Sequence, residues 1–271
     1  MKKNIGVFDS GFGGINILRG IVKALPEYNY IYLGDTARTP YGTRSTDVVY
    51  EFTRQAVDFL LLNNCELIIL ACNTASSDAL RKIQQEYLPE KYPSKRVLGV
   101  LIPAAEEAMQ QTRNKRIGVI ATEGTVKSGA FVRELTKLDK EVKVFQQACP
   151  LLVPIVESGE DRAIFTKQIL EKYLNPLKTK NIDTLILGCT HYGILEKQIK
   201  NIMGRKVQII SEASIIPKKL KEYFAQHPEI ESKLARDGGC KFYSTDLTEK
   251  FTRLGSRFFG KKILAEKVEL K

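Results

Sequence analysis

An internal repeat constrains the fold of this chain more than any other feature of its sequence. The segment Leu60–Thr74 aligns with Leu177–His191 at an offset of 117 residues, and in both copies an asparagine, an acidic residue, an apolar run and a small residue precede a cysteine. The segment Ile5–Ser10 likewise repeats as Ile117–Thr122 at an offset of 112 residues. A recurring unit of this kind indicates duplication. We therefore expect two halves with the same architecture.

Short apolar runs rich in β-branched residues alternate with longer segments of helical periodicity. The predicted strands are Ile5–Phe8, Tyr30–Leu33, Leu67–Leu70, Val97–Val100, Ile117–Ile120, Val142–Phe145, Thr184–Leu187 and Val207–Ile210. Segments such as Ile15–Leu25 and Val48–Leu62 have helical spacing. This alternation is typical of a parallel sheet covered by helices, so we predict an α/β fold.

Domain boundaries follow from the repeat, because no linker rich in proline, glycine or serine separates the halves. We predict two pseudo-symmetric α/β domains with mainly parallel sheets. The first comprises residues 1–97 together with 208–271, and the second comprises residues 98–207. In sheets of this class, functional loops gather at the carboxyl ends of the strands.

Composition argues against several classes of protein. No apolar stretch approaches the roughly 20 residues of a membrane-spanning helix, and the first strand begins too early for a signal peptide. The net charge is +11, yet no basic cluster interleaved with aromatics supports nucleic-acid binding. The chain has five scattered cysteines and two histidines, so we expect cytoplasmic free thiols and no metal site.

Cys72 and Cys189 occupy equivalent positions in the repeat, each after a predicted strand and before a predicted helix start. A thiol at a helix N-terminus has a pKa below its usual value of about 8.5, which favours the reactive thiolate. Free cysteine is also a common buried apolar residue, which is the alternative interpretation for either position alone. Two cysteines at equivalent strand ends favour a pair of catalytic thiols.

Other polar residues accompany these strand ends. His191 lies two residues after Cys189 and can exchange a proton at neutral pH. Asp9 ends the first strand and precedes the glycine-rich Ser10–Gly14 loop. This loop lacks the third glycine of a dinucleotide fingerprint, although Asp35 resembles its ribose-binding acid. The alternative is a loop whose N–H groups bind a small carboxylate, with Asp9 beside the reacting centre.

Four ordered motifs together resemble the glutamate racemase family of the aspartate/glutamate racemase superfamily. They are Gly6–Gly14, Gly34–Gly42, Ala71–Ala75 and Gly188–Tyr192. The resemblance covers nearly the whole chain, including Leu152–Gly159 and Phe242–Asp246. It implies an enzyme that interconverts L- and D-glutamate for peptidoglycan synthesis, without a cofactor or metal. It also implies an active site between the two domains, and we expect a cytoplasmic homodimer that binds neither nucleic acid nor membrane.

The resemblance also implies roles for individual residues. The cysteine at Cys72 takes the α-proton from D-glutamate, and the cysteine at Cys189 takes it from L-glutamate. Asp9 assists the first thiol, whereas His191 and Glu157 assist the second. The substrate contacts that carry over are Ser10, Pro40, Tyr41, Gly42, Asn73, Thr74, Thr122 and Thr190.

The chain departs from the family at Ser211–Ser214, where we expect an aspartate near a serine and find Glu212 instead. Family members that need a cell-wall precursor as activator carry an N-terminal extension, so activator dependence is not expected here. Three rival functions remain at this point. They are racemisation of aspartate or another amino acid, hydrolysis by a Cys189–His191 pair, and ligand sensing without catalysis.

Overall fold

The computed structural model describes residues 2–271, in which ten strands form two wholly parallel sheets. The strands are β1 (Asn4–Asp9), β2 (Tyr30–Gly34), β3 (Cys65–Leu70), β4 (Arg96–Gly99), β5 (Arg116–Ala121), β6 (Lys143–Ala148), β7 (Thr184–Gly188), β8 (Gln208–Ile210), β9 (Cys240–Ser244) and β10 (Ala265–Lys267). All eight predicted strands are present, with ends shifted by up to three residues. The α/β prediction is confirmed.

Helices connect the strands as the alternation predicts. They are α1 (Gly14–Ala24), α2 (Thr46–Leu62), α3 (Asn73–Asp78), α4 (Leu80–Lys82), α5 (Leu88–Lys91), α6 (Leu101–Gln111), α7 (Glu123–Ser128), α8 (Ala130–Leu138), α9 (Leu152–Ser158), α10 (Ile164–Lys178), α11 (Glu196–Met203), α12 (Glu212–Gln226), α13 (Pro228–Glu231) and α14 (Glu249–Phe259). A π-helical turn, Ile83–Tyr87, joins α4 to α5, and 3₁₀ segments span Tyr41–Thr43 and Thr190–Leu195.

The strand order repeats the duplication seen in the sequence. The first sheet has the order β10-β9-β2-β1-β3-β4, and the second has the order β6-β5-β7-β8. Strands β2-β1-β3-β4 therefore correspond one by one to β6-β5-β7-β8. The two cysteine-bearing strands, β3 and β7, occupy equivalent places beside the central strands β1 and β5.

The strand pairing shows where the C-terminal segment and both predicted boundaries lie relative to the two sheets. Strands β9 and β10 extend the first sheet, where β9 pairs with β2. However, β8 pairs with β7 in the second sheet, so the second sheet ends after Ile210 and not at residue 207. The boundary at residue 97 similarly falls within β4. Both predicted boundaries precede or cut the fourth strand of a repeat unit. The division into two domains itself remains a prediction.

The repeated asparagines have a common backbone role. Helix α2 buries Val49, Ala56 and Leu60 along one face and ends at Leu62. The chain then turns into β3 through Asn64, whose φ of 65° lies in the left-handed region. Its repeat equivalent, Asn181, has a φ of 52° in the turn that precedes β7. Asparagine tolerates this conformation better than most residues, which explains its presence in both copies.

Helix α12 links the second sheet back to the first half of the chain by packing against α1. A Cβ atom at Gly20 would lie 2.4 Å from the carbonyl oxygen of Ala213, so only glycine permits this approach of the two helices. The contact brings the N-terminus of α12 close to the carboxyl ends of β1 and β3. Within residues 2–271, no helix has the length and apolar character needed to cross a membrane.

Candidate active site

The carboxyl ends of strands from both sheets enclose one narrow cleft. It is lined by Ser10, Thr39, Pro40, Tyr41, Gly42, Cys72, Asn73, Thr74, Thr122, Val153, Gly188, Cys189, Thr190 and His191. Its cavity volume is about 30 Å³, which is room for two or three water molecules. An amino acid therefore requires the cleft to widen. Both cysteines of the repeat face this same space.

Cys72 stands between the end of β3 and the first residue of α3. Its thiol is buried and lies 3.4 Å from the hydroxyl oxygen of Ser10. Asn73 is the first residue of α3, and Cys72 occupies the N-cap position. The side chain of Asn73 is thus free to bond elsewhere, and its amide nitrogen donates to Glu212 at 2.9 Å.

The predicted lowering of the thiol pKa values is wrong. Burial raises the pKa of Cys72 to about 11, and the nearby Asp9 adds to the rise. The N–H groups of Ala75 and Ser10 act in the predicted direction but are outweighed. Burial likewise raises the pKa of Cys189 well above its usual value. Desolvation of a buried thiolate costs more than a short helix terminus returns, so both thiols are protonated at neutral pH.

Cys189 is followed by a relay of polar side chains that leads outward. Its sulfur lies 3.8 Å from Nδ1 of His191, and Nε2 of that histidine lies 3.1 Å from Oε1 of Glu157. Lys250 on α14 approaches the other oxygen of Glu157 at 3.5 Å. Burial raises the pKa of Glu157, but the His191 contact and the Lys250 charge together hold it below 4.5. Glu157 is therefore ionised and fixes the imidazole beside the thiol.

Asp9 joins the first half of the site to the second. It is fully buried at the end of β1, and its carboxylate accepts hydrogen bonds from the N–H of Gly11 at 2.9 Å and the hydroxyl of Thr190 at 3.3 Å. Burial raises the pKa of Asp9 above 3.8, although the charge of His191 and these hydrogen bonds oppose the rise. Asp9 is thus a carboxyl group near both thiols, and its pKa is raised by burial.

The glycine-rich loop serves a close approach between the two halves. A Cβ atom at Gly13 would lie 2.2 Å from Oγ1 of Thr190 and 2.8 Å from Nδ1 of His191. The dinucleotide interpretation fails for Asp35, which is fully buried and accepts hydrogen bonds from Arg38 and Tyr41. A carboxylate engaged in this way is not available to a ribose. The loop also turns the N–H of Gly11 towards Asp9.

A second close approach brings the turn after β2 against the helix after β5. A Cβ atom at Gly42 would lie 2.7 Å from Cβ of Thr122. Oγ1 of Thr122 also lies 3.2 Å from Oγ1 of Thr74, so hydroxyl groups from both halves meet above the cleft. Hydroxyls can donate or accept, which suits the recognition of a carboxylate.

A larger outer cavity of about 390 Å³ leads to the cleft. Thr39, Pro40, Gly42, Thr122 and Val153 line both spaces. Glu157 and Lys250 line the outer cavity but not the cleft. The outer cavity therefore adjoins the cleft that contains the two thiols.

The structure places every residue that the family resemblance implied for the site around this cleft. The eight predicted substrate contacts, both cysteines and His191 line it directly, whereas Asp9 and Glu157 lie one layer behind. Sequence reasoning missed Thr39, Val153, Gly188 and Lys250. The first three lie inside motifs that carried the resemblance, but no local pattern distinguishes Lys250 from the other lysines of the C-terminal segment.

The remaining cysteines, Cys65, Cys149 and Cys240, do not line the cleft. Burial raises the pKa of both Cys65 and Cys240 to about 12. Cys149 borders the outer cavity, but it too is buried and burial raises the pKa of its thiol. All five cysteines are free thiols. In the part of the chain that the structure describes, no group of three or more His, Cys, Asp or Glu residues could hold a metal ion.

This chain is similar to known proteins in both sequence and fold. Residues 5–217 match the family described as Asp/Glu/hydantoin racemase. A glutamate racemase of Geobacter metallireducens is 38% identical over 261 residues, which cover 96% of this chain and 94% of the relative. A crystal structure of a glutamate racemase isoform from Bacillus anthracis has a TM-score of 0.90 and 37% identity, covering 99% of this chain and 98% of that one. The enzyme from Francisella tularensis, solved in complex with D-glutamate, has a TM-score of 0.88 and 31% identity, covering 100% and 98%.

Proposed function

The chain belongs to the glutamate racemases of the Asp/Glu/hydantoin racemase family, which are isomerases, and from this premise we propose that it interconverts L-glutamate and D-glutamate without a cofactor. The product D-glutamate would supply peptidoglycan synthesis. The observation that carries the proposal is the placement of Cys72 and Cys189 on one cleft, at equivalent strand ends of two related sheets.

Racemisation requires a base on one face of the α-carbon and an acid on the opposite face, because the proton leaves one side and returns to the other. Two thiols meet this requirement when one is a thiolate and the other is a thiol. They exchange these states with each turnover. In the proposed assignment, Cys72 removes the α-proton of D-glutamate and Cys189 removes that of L-glutamate.

A buried thiol must become a thiolate before it can act as a base. Burial opposes this change at both cysteines, and the charge of Asp9 opposes it further. The α-ammonium group of the substrate would supply a positive charge beside the thiols and lower their pKa values. Asp9 and the His191–Glu157 pair would then accept or return the thiol proton. Substrate binding would thus activate its own base.

Removal of the α-proton creates negative charge at the α-carbon and its carboxylate. Without an electron sink, this charge is stabilised by fixed hydrogen-bond donors in a site that excludes water. We propose that Ser10, Asn73, Thr74, Thr122 and Thr190 bind the substrate together with Pro40, Tyr41 and Gly42. Closing the cleft around glutamate would remove solvent from the reacting atoms.

The setting of the enzyme is part of the same proposal. Five free cysteines are compatible with a reducing compartment, which supports a cytoplasmic location. The family resemblance supports a homodimer. Sedimentation velocity at catalytic concentrations measures the assembly directly.

The proposal is tested by incubating the purified protein with L-glutamate in heavy water, without added cofactor and with a chelator present. We expect the circular dichroism of glutamate to decay to zero while deuterium enters the α-position of the product, which proton NMR follows. L-aspartate under the same conditions is the matched control substrate. We expect little turnover of L-aspartate. Its side chain is one methylene shorter, so its side-chain carboxylate would not make the contacts that bind the γ-carboxylate of glutamate.

The outcomes separate the rival functions. Faster turnover of L-aspartate would replace glutamate racemisation by aspartate racemisation. Glutamate binding without exchange of the α-proton would favour a sensor. Hydrolysis of an amide or ester substrate by Cys189, with Cys72 dispensable, would favour a cysteine hydrolase.

A further inference from the structure

Glu212 is a buried carboxyl group that the proposed chemistry does not use. It is the first residue of α12 and is 3% exposed. It lines a small cavity behind Cys189 and Thr190, on the far side of these residues from the cleft. A buried carboxyl group is costly unless something holds it there.

The single hydrogen bond that the described chain offers to the Glu212 side chain comes from Asn73, whose Nδ2 donates to Oε2 at 2.9 Å. Asn73 lines the cleft, whereas Glu212 lines the cavity behind it. The carboxamide of Asn73 therefore bridges the two spaces. One N–H of the Asn73 amide is committed to Glu212, and its carbonyl oxygen Oδ1 remains as an acceptor without a partner.

Oδ1 of Asn73 is buried and has no hydrogen-bond partner among residues 2–271. A buried acceptor without a donor is unfavourable and marks a place where a ligand can contribute one. An ammonium group carries three donors and no acceptor, so it satisfies this oxygen and would be rejected by the amide N–H group. The orientation of the Asn73 amide thus decides which charge can bind beside it.

The surroundings of Glu212 favour its neutral form. No lysine, arginine or histidine of the described chain lies within 4.0 Å of its carboxyl oxygens. The titratable groups that interact with it are Asp9 and Cys189, both acids. Burial raises the pKa of Glu212 well above 4.5, the charge of Asp9 adds to the rise, and the Asn73 hydrogen bond opposes it.

Other charged groups near α12 do not change this balance. On α6, Glu106 pairs with Lys219, two turns further along α12. His191, on the 3₁₀ segment packed against α12, contacts Cys189 and Glu157. The N-terminus of α12 favours a carboxylate, but this effect is several times smaller than the cost of burying an uncompensated charge.

We propose that Glu212 is a positioning residue, which fixes the amide of Asn73 so that its carbonyl oxygen receives the α-ammonium group of the substrate. The inference rests on the proposed function, because it assigns a substrate group to this oxygen. As a neutral acid, Glu212 accepts the Asn73 hydrogen bond through its carbonyl oxygen. A neutral Glu212 also adds no negative charge beside the two thiols. A charged Glu212 would raise the pKa values of both thiols further.

The test compares Glu212→Ala and Glu212→Gln in the full-length protein. Glu212→Ala removes the acceptor and frees the Asn73 amide to turn, so we expect KM for both enantiomers of glutamate to rise about tenfold with little change in kcat. Glu212→Gln offers an amide oxygen at the same place, so KM should stay within about twofold of the original value. Glu222→Gln, on the exposed side of the same helix, is the matched control and should change neither constant.

Two further measurements keep the test decisive. Glu212→Ala added to Asn73→Ala should not raise KM further, because the two residues act through one contact. The free energy of unfolding without substrate should fall less steeply with rising pH in Glu212→Gln than in the original protein. A neutral buried acid stabilises the fold fully below its unfolded pKa, and this contribution is lost as pH rises through the folded pKa.

Specific results would overturn the inference. An unchanged KM in Glu212→Ala, or a Glu212→Gln variant as impaired as Glu212→Ala, would exclude positioning by a neutral acid. If Glu212→Ala does not fold, the Glu212→Gln constants and its pH profile of unfolding decide alone. Failure of the original protein to exchange the α-proton of glutamate would instead reject the proposed function. The unfolding profile would still report the charge state of Glu212.

Discussion

The surroundings of Cys72 and Cys189 differ although the two thiols occupy the same place in a duplicated fold. Cys72 lies beside the hydroxyl of Ser10 and close to Asp9, a carboxyl group contributed by the neighbouring strand. Cys189 lies beside His191, which its own loop contributes. The first setting is closed and acidic. The second continues through Glu157 to Lys250 at the edge of the outer cavity.

A comparison of equivalent positions in the repeat shows which residues make the two surroundings different. At the position equivalent to Asp9, the second half has Ala121, and at the position equivalent to His191, the first half has Thr74. Each half therefore carries the thiol but lacks the proton-handling group of the other half. Asp9 nevertheless contacts Thr190 of the second half, so the two settings are joined and not independent. A racemase with chemically different faces can treat its two enantiomers by different proton routes.

Removal of either thiol should have the largest effect on the rate of racemisation. We expect Cys72→Ala and Cys189→Ala each to lower the rate of racemisation at least about 10³-fold, because an acid or base on one face is then missing. Circular dichroism of glutamate measures the rate. Cys240→Ala, which changes a thiol far from the cleft, is the control and should retain activity. Substantial activity in either of the two cleft variants would refute a mechanism based on two thiols.

Changing one partner at a time should make the two faces unequal. We expect Asp9→Asn and His191→Asn each to slow turnover by about 10²-fold, since each removes a group that assists proton transfer. With α-deuterated substrates, Asp9→Asn should increase the isotope effect on D-glutamate more than that on L-glutamate, because proton removal by Cys72 becomes slower. His191→Asn should show the reverse.

The matched controls for these variants are Asp47→Asn and His227→Asn, which lie away from the cleft. Equal isotope effects on both enantiomers in both cleft variants would mean that neither partner serves one thiol in particular.

Substitution of the carboxyl groups of Asp9 and Glu157 should change the stability of the fold in opposite directions. This is the smallest of the three predicted effects. The pKa of Asp9 is raised, so its contribution to stability is present at low pH and is lost as pH rises through the folded pKa. Asp9→Asn should therefore gain stability relative to the original protein as pH rises above 3.8. The pKa of Glu157 is lowered, so its contribution is present above 4.5 and is lost as pH falls.

Glu157→Gln should consequently be less stable than the original protein at pH 7, by about 1–2 kcal/mol, because its charged hydrogen bond to His191 is weakened. The difference should shrink on acidification. Urea unfolding at a series of pH values measures both variants. A shift of the same sign for both carboxyl variants would contradict the contrast between a buried acid and a paired carboxylate.

Sequence patterns predicted this architecture well because they depend on local periodicity. Strands buried on both faces require continuous apolar runs, and helices between them require amphipathic spacing, so both are visible without any tertiary contact. The repeat added the equivalence of Cys72 and Cys189. It did not reveal that β8 completes the second sheet, since three residues of strand carry too little pattern to assign them to either neighbour.

The pKa values of the thiols could not be obtained in the same way. Position at a helix start suggested thiolates, but the structure buries Cys72 and Cys189 at 6% and 8% exposure and thereby raises both pKa values. Burial depends on how two distant halves close on each other. Local sequence contains no information on the depth of that cleft.

The sequence by itself determined that this protein has duplicated α/β halves, a thiol at each matched strand end and the motifs of its family, because these features follow from residue order and periodicity. Tertiary structure alone decided the partners of those thiols. It brought Thr190 onto Asp9, Lys250 towards Glu157, and Glu212 beneath Asn73, over separations of more than 90 residues. Electrostatic and hydrogen-bonding effects depend on distance in space and on exclusion of water, and neither is written in the order of residues.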